Sequence, residues 1–297
     1  KGASEGEGLG NEFLGHIQEV DAMAHVVRLF PDEDVAHVEG DLDPVRDIEI
    51  IHNELTLKDL GVARGRFEDV ERRARVGEKK YQKRADILED IIAALEQDTF
   101  VNELDLGEEG EVLVKEMGLL TRKPLIYVGN VSEDQLLAVA DSPEPGDLPS
   151  PLRELAAYAA ERDMPVAWIC AELENELAEL DDPDEAAEFL ADMGVTEPGL
   201  ARLVKLGYGA LDLLTFYTVK GPETRAWELP RGTVARRAAG RIHSDMEEGF
   251  IKAQVIPWGK LVEAGSFAAA RDEGWMRAEG KDYVVQDGDV ILFHFRA

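Results

Sequence analysis

Two short apolar runs, each long enough for one strand and separated by a helical segment, constrain the fold of this chain most. Residues 124–129 (PLIYVG) and 164–169 (MPVAWI) are the strand candidates, and residues 152–161 between them have a helical pattern. Strand, helix, strand in this order is a βαβ unit, in which the two strands lie parallel in one sheet. An α/β fold is therefore predicted, and residues 24–30 (AHVVRLF) supply a further buried strand that follows a helix over 11–21.

A long segment rich in charges of both signs follows that first strand. Residues 44–60 place apolar side chains three or four apart, which predicts an amphipathic helix. Between residues 64 and 95, two more sets of apolar residues with this spacing lie on either side of Gly77. An antiparallel helical hairpin that turns near Gly77 is therefore predicted. The pattern favours a structural or partner-contact arm.

The last part of the chain has a different pattern, in which short strand-like runs alternate with glycine turns. The runs cover residues 215–220, 225–229, 250–256, 283–285 and 290–295. One helix is predicted over residues 234–247. Together these elements predict a small α+β domain with mixed strands.

The net charge of -30 is not spread evenly along the 297 residues. Residues 215–297 contain 12 Lys plus Arg and 12 Asp plus Glu, so the whole excess of acid lies before residue 215. An acidic body repels phosphate backbones at long range. No DNA partner is therefore expected, and the neutral C-terminal part is the better candidate for contact with RNA.

Composition also gives an expectation for the cellular compartment of the protein. A single cysteine, Cys170, excludes an intrachain disulfide, and no apolar run approaches the roughly 18 residues of a membrane span. A cytoplasmic protein without membrane contact is the expectation. The histidines lack the spacing of metal ligands, so no metal ligand is predicted among these residues.

Two short motifs come directly after the two best strand candidates. Asn130-Val131-Ser132-Glu133 follows the first strand and Cys170-Ala171 follows the second. In guanine-nucleotide proteins the first place holds Asn-Lys-x-Asp, whose acid accepts two hydrogen bonds from guanine. Here Val131 replaces the lysine and the longer Glu133 replaces the aspartate, which puts the paired contact to guanine in doubt and makes adenine a plausible base. The alternative is that Asn130 and Glu133 form a helix cap, which this spacing also fits.

Further segments give the chain a resemblance that runs from its first residue to its last. They are residues 1–4 (KGAS), 6–11 (GEGLGN), 130–133 (NVSE), 170–171 (CA), 225–227 (RAW), 238–245 (AAGRIHSD), 248–251 (EGFI) and 276–289 (MRAEGKDYVVQDGD). In these segments the chain resembles the YchF-type Obg-like ATPases, ribosome-binding members of the P-loop GTPase superfamily.

The resemblance implies a fold class and a division into domains. The expected fold is a P-loop NTPase-type parallel sheet without its N-terminal P-loop segment, with an inserted antiparallel helical hairpin and a C-terminal β-grasp (TGS, ubiquitin-like) domain. The nucleotide domain would comprise residues 1–54 and 119–212. The inserted arm would cover residues 55–118, and the TGS domain residues 213–297.

The resemblance also implies a site for ATP. Asn130, Val131 and Glu133 would contact the adenine base, and Cys170 with Ala171 would lie against it. A mobile glycine-rich switch beside the γ-phosphate is implied at Gly2, Gly6, Gly8 and Gly10.

The expected phosphate-binding residues are missing from the sequence. No Gly-Lys-Ser or Gly-Lys-Thr occurs in it, although such a loop holds the phosphates in P-loop enzymes. The ligands of Mg²⁺ are therefore expected in a preceding segment, and no catalytic residue is assigned. These 297 residues alone are expected neither to bind ATP tightly nor to hydrolyse it.

A ribosome partner completes the expectation. Five basic residues of the last domain are candidates for contact with ribosomal RNA: Arg231, Arg236, Arg237, Arg241 and Lys252. The alternative is a solvated helix balanced by Glu247 and Glu248. The predicted function is that of a ribosome-associated ATPase that regulates translation or a stress response. A non-catalytic ribosome- or RNA-binding module and a GTP-specific GTPase remain as alternatives.

Overall fold

The computed structural model describes residues 8–31, 42–75, 79–141 and 145–296. It divides into two compact units, Lys1–Gly207 and Tyr208–Ala297, each with its own sheet. We call them the first and the second unit.

A three-stranded parallel sheet forms the centre of the first unit. Its strands are β1 (Met23–Arg28), β2 (Leu125–Asn130) and β3 (Val166–Ile169), in the order β1-β2-β3. The first five residues of β2 are buried, as expected for a central strand covered on both faces. The predicted βαβ unit and its parallel sheet are confirmed.

The prediction of a buried strand at residues 24–30 is right about the strand but only half right about its burial. Val27 is buried, but Val26 is 62% exposed. Successive side chains of any strand point to opposite faces of the sheet, and the face of β1 that holds Ala24 and Val26 is exposed. Among the described strands, β1 also lies at an edge of the sheet. An apolar run alone does not distinguish a central strand from an edge strand.

Helices surround this sheet and form the arm. In chain order they are α1 (Gly8–Glu19), α2 (Pro44–Ala74), α3 (Lys79–Leu95), α4 (Gly107–Met117), α5 (Glu133–Asp141), α6 (Leu152–Glu161), α7 (Ala171–Glu179), α8 (Pro183–Asp192) and α9 (Gly199–Ala210). The main core lies against β2, where Tyr127 is fully buried among residues of α2 and α6 such as Ile48 and Leu155.

The structure replaces two predicted helices with one. The helix predicted over 44–60 and the first half of the hairpin form the continuous 31-residue helix α2. Gly61 and Gly65 lie inside it, where a Cβ atom would meet nothing within 4 Å. Because exposed glycine weakens a helix without breaking it, these residues do not end α2. The helix that packs on the sheet is thus also the first helix of the arm.

The arm itself is the predicted antiparallel hairpin of α2 and α3. Its apolar contact includes the buried residues Val70, Ala85 and Leu88. The turn predicted near Gly77 lies outside the described residues. Asp59 anchors α2 at the base of the arm, where its buried carboxylate accepts hydrogen bonds from the backbone of Leu120 (2.9 Å) and Thr121 (2.7 Å) and from the Thr121 hydroxyl (2.7 Å).

Two histidines are enclosed between the sheet and these helices. His52 of α2 lies between the hydroxyls of Tyr127, 3.1 Å from Nε2, and Tyr158, 3.4 Å from Nδ1. Burial lowers the pKa of His52 to about 3, with further lowering by His25 and Arg162. Burial also lowers the pKa of His25 to about 4, although Asp47 opposes it. Both imidazoles are therefore neutral at pH 7.

The second unit is a mixed five-stranded sheet with helices on both faces. Its elements are β4 (Leu213–Lys220), β5 (Glu223–Pro230), α10 (Ala235–Ile242), α11 (Ser244–Glu248), β6 (Phe250–Pro257), α12 (Trp258–Ala264), α13 (Phe267–Asp272), β7 (Arg277–Glu279) and β8 (Asp289–Phe295). The strand order is β5-β4-β8-β6-β7, with β4 and β8 parallel.

Alternation along the strands explains the two layers of helices. Phe216 and Val255 are buried with Ala235 and Ala238 of α10 on one face. The neighbouring Ile256 belongs to the core that is completed by α12 and α13 on the other face. The predicted α+β domain with mixed strands is confirmed.

Two local predictions for this unit were wrong. The helix predicted over 234–247 is divided at His243, whose backbone is extended and whose Nδ1 accepts a hydrogen bond from the amide of Asp245. Residues 283–285, predicted as a strand, contribute only an isolated bridge between Val284 and Val234. Helices α12 and α13 and strand β7 were not predicted.

Candidate nucleotide site

The two sequence motifs meet at the carboxyl edge of the parallel sheet. Asn130 and Ile169, the last residues of β2 and β3, lie opposite each other in register. The Asn130 Oδ1 atom accepts a hydrogen bond from the backbone amide of Ala171 (3.2 Å), and the amide of Val131 donates to the carbonyl of Ile169 (2.9 Å). Motifs 41 residues apart are thereby joined where open α/β sheets bind their ligands.

A helix cap does exist here, but neither Asn130 nor Glu133 forms it. The amide of Ser132 donates to the Gln135 side chain (3.0 Å), and the Gln135 amide donates to the Ser132 hydroxyl (3.3 Å). This is the reciprocal capping box of α5. The capping alternative for Asn130 and Glu133 was therefore wrong, and sequence analysis missed the two residues that do cap the helix, although S-x-x-Q is a readable signal.

Because Ser132 and Gln135 form the cap, the carboxylate of Glu133 is available to a ligand. It is the first residue of α5 and is half-buried, and its carboxylate forms no hydrogen bond or ion pair with the described residues. The positive end of the helix dipole favours a carboxylate at this position. The Gln135 side chain meanwhile donates to the carbonyl of Leu29 (2.8 Å) and ties α5 to the chain that follows β1.

The five predicted base-contact residues divide into two groups by exposure. Asn130 and Glu133 are half-buried and Ala171 is exposed. The side chains of Val131 and Cys170 are buried in the main core, at 1% and 2% exposure. These two side chains support the loops from below, and only the other three residues present side chains at the surface.

Two glycines that sequence analysis did not select bring the backbone close at this edge. A Cβ atom on Gly129 would lie 2.6 Å from the ring of Trp168, so the indole packs directly on the backbone of β2. The amide of Gly199 donates to the Glu174 carboxylate (2.5 Å), which places the start of α9 against the end of β3. A glycine inside a strand pattern is the signal that could have identified Gly129.

Of the four predicted switch glycines, the structure describes two. Gly2 and Gly6 lie outside the described residues. Gly8 and Gly10 lie in the first turn of α1.

The candidate RNA-binding arginines of the second unit all have partners. Arg231 pairs with Asp212 (3.3 Å), Arg237 with Glu247 (2.9 Å) and Arg241 with Glu228. Arg236 donates to the carbonyl of Glu247 (3.1 Å), and Lys252 lies on β6 opposite His294. These pairs are exposed, and exposed ion pairs exchange readily with other partners.

The described residues do not offer a metal site or a membrane span. They contain no cluster of three or more His, Cys, Asp or Glu side chains that could hold a metal ion. None of the described helices is long and apolar enough to cross a bilayer.

The geometry defines an α/β protein with a candidate ligand site at the carboxyl edge of its parallel sheet. Comparison with known proteins gives the family. Residues 213–296 match the family model YchF-GTPase_C, which is described as a protein of unknown function (DUF933). The ribosome-binding ATPase YchF of Bacillus subtilis is 44% identical over 295 residues, which cover 99% of this chain and 78% of that protein. Obg-like ATPase 1 of Caenorhabditis elegans is 42% identical over 300 residues, which cover 100% of this chain and 73% of that protein.

A solved structure agrees with these relatives. The Schizosaccharomyces pombe YchF GTPase matches with a TM-score of 0.83 and 29% identity, covering 97% of this chain and 76% of that one. The chain therefore belongs to the family of YchF-type ribosome-binding ATPases. The resemblance inferred from the motifs and the predicted fold class are confirmed.

Proposed function

We propose that the carboxyl edge of the first sheet binds the base of an adenine nucleotide. The observation that carries the proposal is the arrangement of Asn130 and Glu133. The asparagine is fixed by the amide of Ala171, while the carboxylate is left without a partner among the described residues. A carboxylate accepts hydrogen bonds, and both purine bases have an exocyclic amine that donates them, so this contact alone does not select adenine. The family, whose members are named ATPases, supports ATP as the nucleotide.

Hydrolysis of ATP is proposed for the protein, without a catalytic residue among those described. Phosphate contacts and Mg²⁺ supply most of the catalysis in phosphoryl transfer. No Gly-Lys-Ser or Gly-Lys-Thr occurs in the sequence, and the described residues contain no cluster fit for a metal. The described residues therefore do not fit Mg²⁺, and their part in the reaction is recognition of the base.

Association with the ribosome in the cytoplasm is the second part of the proposal. The relatives are named ribosome-binding ATPases. The exposed arginines of α10 in the second unit, Arg236, Arg237 and Arg241, are candidates for contact with ribosomal RNA. On this proposal, nucleotide and ribosome binding together regulate translation.

Saturation-transfer NMR tests the base site, because it detects weak binding. With this chain and ATP, we expect saturation to reach adenine H2 and H8 and to exceed that of GTP H8 under the same conditions. Glu133→Gln should lower the adenine signal several-fold, since an amide is a weaker acceptor than a carboxylate. Asp134→Asn, with the same charge change at the next, exposed position, is the control.

Three results would contradict the base site. They are equal transfer to the two bases, stronger transfer to guanine, and no effect of Glu133→Gln. A switch towards GTP is best tested with Glu133→Asp alone. Adding Val131→Lys would place an ammonium in the core, because Val131 is buried, and its effect on folding would obscure the comparison.

A further inference from the structure

The end of the helical arm carries a concentration of positive charge that the sites above do not use. Residues 72–84 contain seven Lys plus Arg and one acidic residue. The other 284 residues contain 25 basic and 61 acidic residues. The sign of the charge is thus reversed locally, in a segment of 13 residues, within a chain whose net charge is -30.

Both helices of the arm contribute to this charge, and six of the seven basic residues are exposed, the exception being Arg84. We call the following six residues the arm-tip patch: Arg72, Arg73, Arg75, Lys79, Lys80 and Lys83. The first three stand at the end of α2 and the other three in the opening turns of α3. Antiparallel packing brings the two sets to the same end of the hairpin.

Contacts between the two helices hold the patch together. The Arg73 guanidinium lies 5.3 Å from the centre of the Tyr81 ring and donates to the Tyr81 hydroxyl (3.0 Å). Val70 and Ala85 are buried in the apolar cluster next to this pair. The cations of α2 and α3 are therefore displayed on a packed scaffold, which reduces the entropy lost on binding.

The lysines are badly placed for the stability of their own helix. Lys79 and Lys80 occupy the first turn of α3, where the helix dipole disfavours positive charge. Helices α4 to α8 all have acidic residues in this position, as the dipole favours. Neither lysine forms an ion pair with a described acidic residue. Folding alone does not explain why this chain, rich in acid elsewhere, has cations here.

Ion pairs with neighbouring carboxylates leave the cations of the patch accessible to a ligand. Arg72 pairs with Asp69 and Arg75 with Glu71, both within α2, and Lys83 pairs with Glu109 (3.1 Å). The side chains of Arg72 and Arg75 remain 73% and 72% exposed. Exposed pairs of this kind contribute little energy, so a phosphate can replace the carboxylate at small cost.

Apart from Glu109 of α4, which pairs with Lys83, the patch is far from the acidic residues around the base of the arm. Fifteen residues of α2 separate the anchor at Asp59 from Ala74, which is about 22 Å at 1.5 Å per residue. The Debye length at physiological salt is about 8 Å. Salt therefore screens the repulsion that acidic residues at the base of the arm would exert on a polyanion at the tip.

We propose that the arm-tip patch binds the phosphate backbone of structured RNA. As a ribosomal contact it rests on the proposed ribosome association, but the patch can be tested without ribosomes. The only aromatic residue described within 72–84 is Tyr81, which is half-buried and already engaged with Arg73. Because the patch therefore offers cations without a free stacking platform, we infer contact with the backbone and no reading of sequence.

A salt titration with a fluorescein-labelled 24-base-pair RNA duplex tests this proposal. The full 297-residue chain is compared with Arg72→Gln/Lys79→Gln/Lys80→Gln and with Lys115→Gln/Arg153→Gln/Lys205→Gln, which removes three exposed cations elsewhere in the first unit. We expect the tip variant to bind about tenfold or more weakly at 50 mM salt. Its slope of log K against log salt should be shallower by about two to three. The control should bind like the unchanged chain, and duplexes of different sequence should bind alike.

Two results would overturn the proposal: no measurable binding of the duplex by the unchanged chain, or equal binding by the tip and control variants. Binding of poly-L-glutamate in preference to the duplex would also overturn it, in favour of an acidic protein partner. Equal thermal unfolding of the three proteins excludes a folding defect.

Ribosome pelleting with the same proteins separates this proposal from the proposed function. If the unchanged chain does not pellet, ribosome association fails while the duplex titration still decides the patch. If pelleting is lost in Arg236→Glu/Arg237→Glu but not in the tip variant, and the duplex titration shows no tip effect, the second unit holds the contact and the arm-tip proposal fails.

Discussion

At the scale of single residues, Asp59 shows how a buried charge can specify one contact. Burial raises the pKa of its carboxyl, while the hydrogen bonds from Thr121 and Leu120 lower it. These donors come from a short 3-10 helix far along the chain, so the carboxylate fixes where the arm leaves the first unit. Nothing in the sequence pattern indicates this role for Asp59, because an acid on an amphipathic helix normally faces solvent.

We predict that Asp59→Ala lowers the free energy of unfolding of the first unit by about 3 kcal/mol. The change leaves two backbone amides and one hydroxyl without an acceptor in a buried place. Urea unfolding, followed by circular dichroism, measures the loss. Asp69→Ala, an exposed acid on the same helix, should change the stability by less than about 0.5 kcal/mol. Equal effects of the two substitutions would show that Asp59 is not an anchor.

At the scale of elements, α2 departs most from its prediction. The sequence pattern predicted a helix over 44–60 and a separate hairpin from residue 64, whereas α2 is continuous and packs on the sheet at one end and on α3 at the other. Propensity is a weak signal compared with tertiary contacts, and only the three-dimensional structure supplies those. The buried pattern of β2, by contrast, was readable because a central strand is apolar throughout.

The two glycines of α2 should therefore respond differently from Gly129 of β2. Gly61→Ala and Gly65→Ala should each raise the free energy of unfolding by about 0.5 to 1 kcal/mol, because their Cβ atoms enter open space. Gly129→Ala should lower it, since its Cβ would lie 2.6 Å from the Trp168 ring. Chemical denaturation of the three variants gives the signs, and a destabilising Gly61→Ala would contradict a continuous exposed helix.

At the scale of the whole molecule, lowering the pH has two opposing effects on stability. Protonating some of the 62 carboxylates relieves the repulsion of a chain with net charge -30. His25 and His52 act in the opposite direction, because their pKa values in the folded state, about 4 and about 3, lie below the usual 6.5. The unfolded chain therefore binds more protons below pH 6.5, and stability falls as the pH falls through this range.

We predict that the histidines dominate between pH 7 and pH 5. Their combined contribution to the free energy of unfolding of the first unit should fall by about 3 to 4 kcal/mol over this interval. In His52→Gln the pH dependence should be reduced by about half. His16→Gln, at an exposed position on α1, should keep the full dependence. Urea titrations at a series of pH values measure the slopes, and an unchanged slope in His52→Gln would refute the assignment.

The sequence predicted much of this architecture, and the misses have physical causes. The parallel sheet, the hairpin and the α+β unit followed from periodicity, and the meeting of Asn130 with Ala171 followed from the rule that parallel strands end at one edge. The burial of Val131 and Cys170 did not follow, because a loop motif does not state which way each side chain points. The arm-tip patch was missed because charges of both signs along the hairpin were considered together, without regard to their position.

The continuity of α2 has a mechanical consequence. One rigid rod begins against the sheet, is held near its middle by Asp59, and ends at the arm-tip patch. A tilt of about ten degrees about this fulcrum would move the far end by about 4 Å, given the rise of 1.5 Å per residue. Because Asp59 lies at the midpoint of α2, the two arms of this lever are equal, and a displacement of the end at the sheet would appear at the tip with about the same size and the opposite direction.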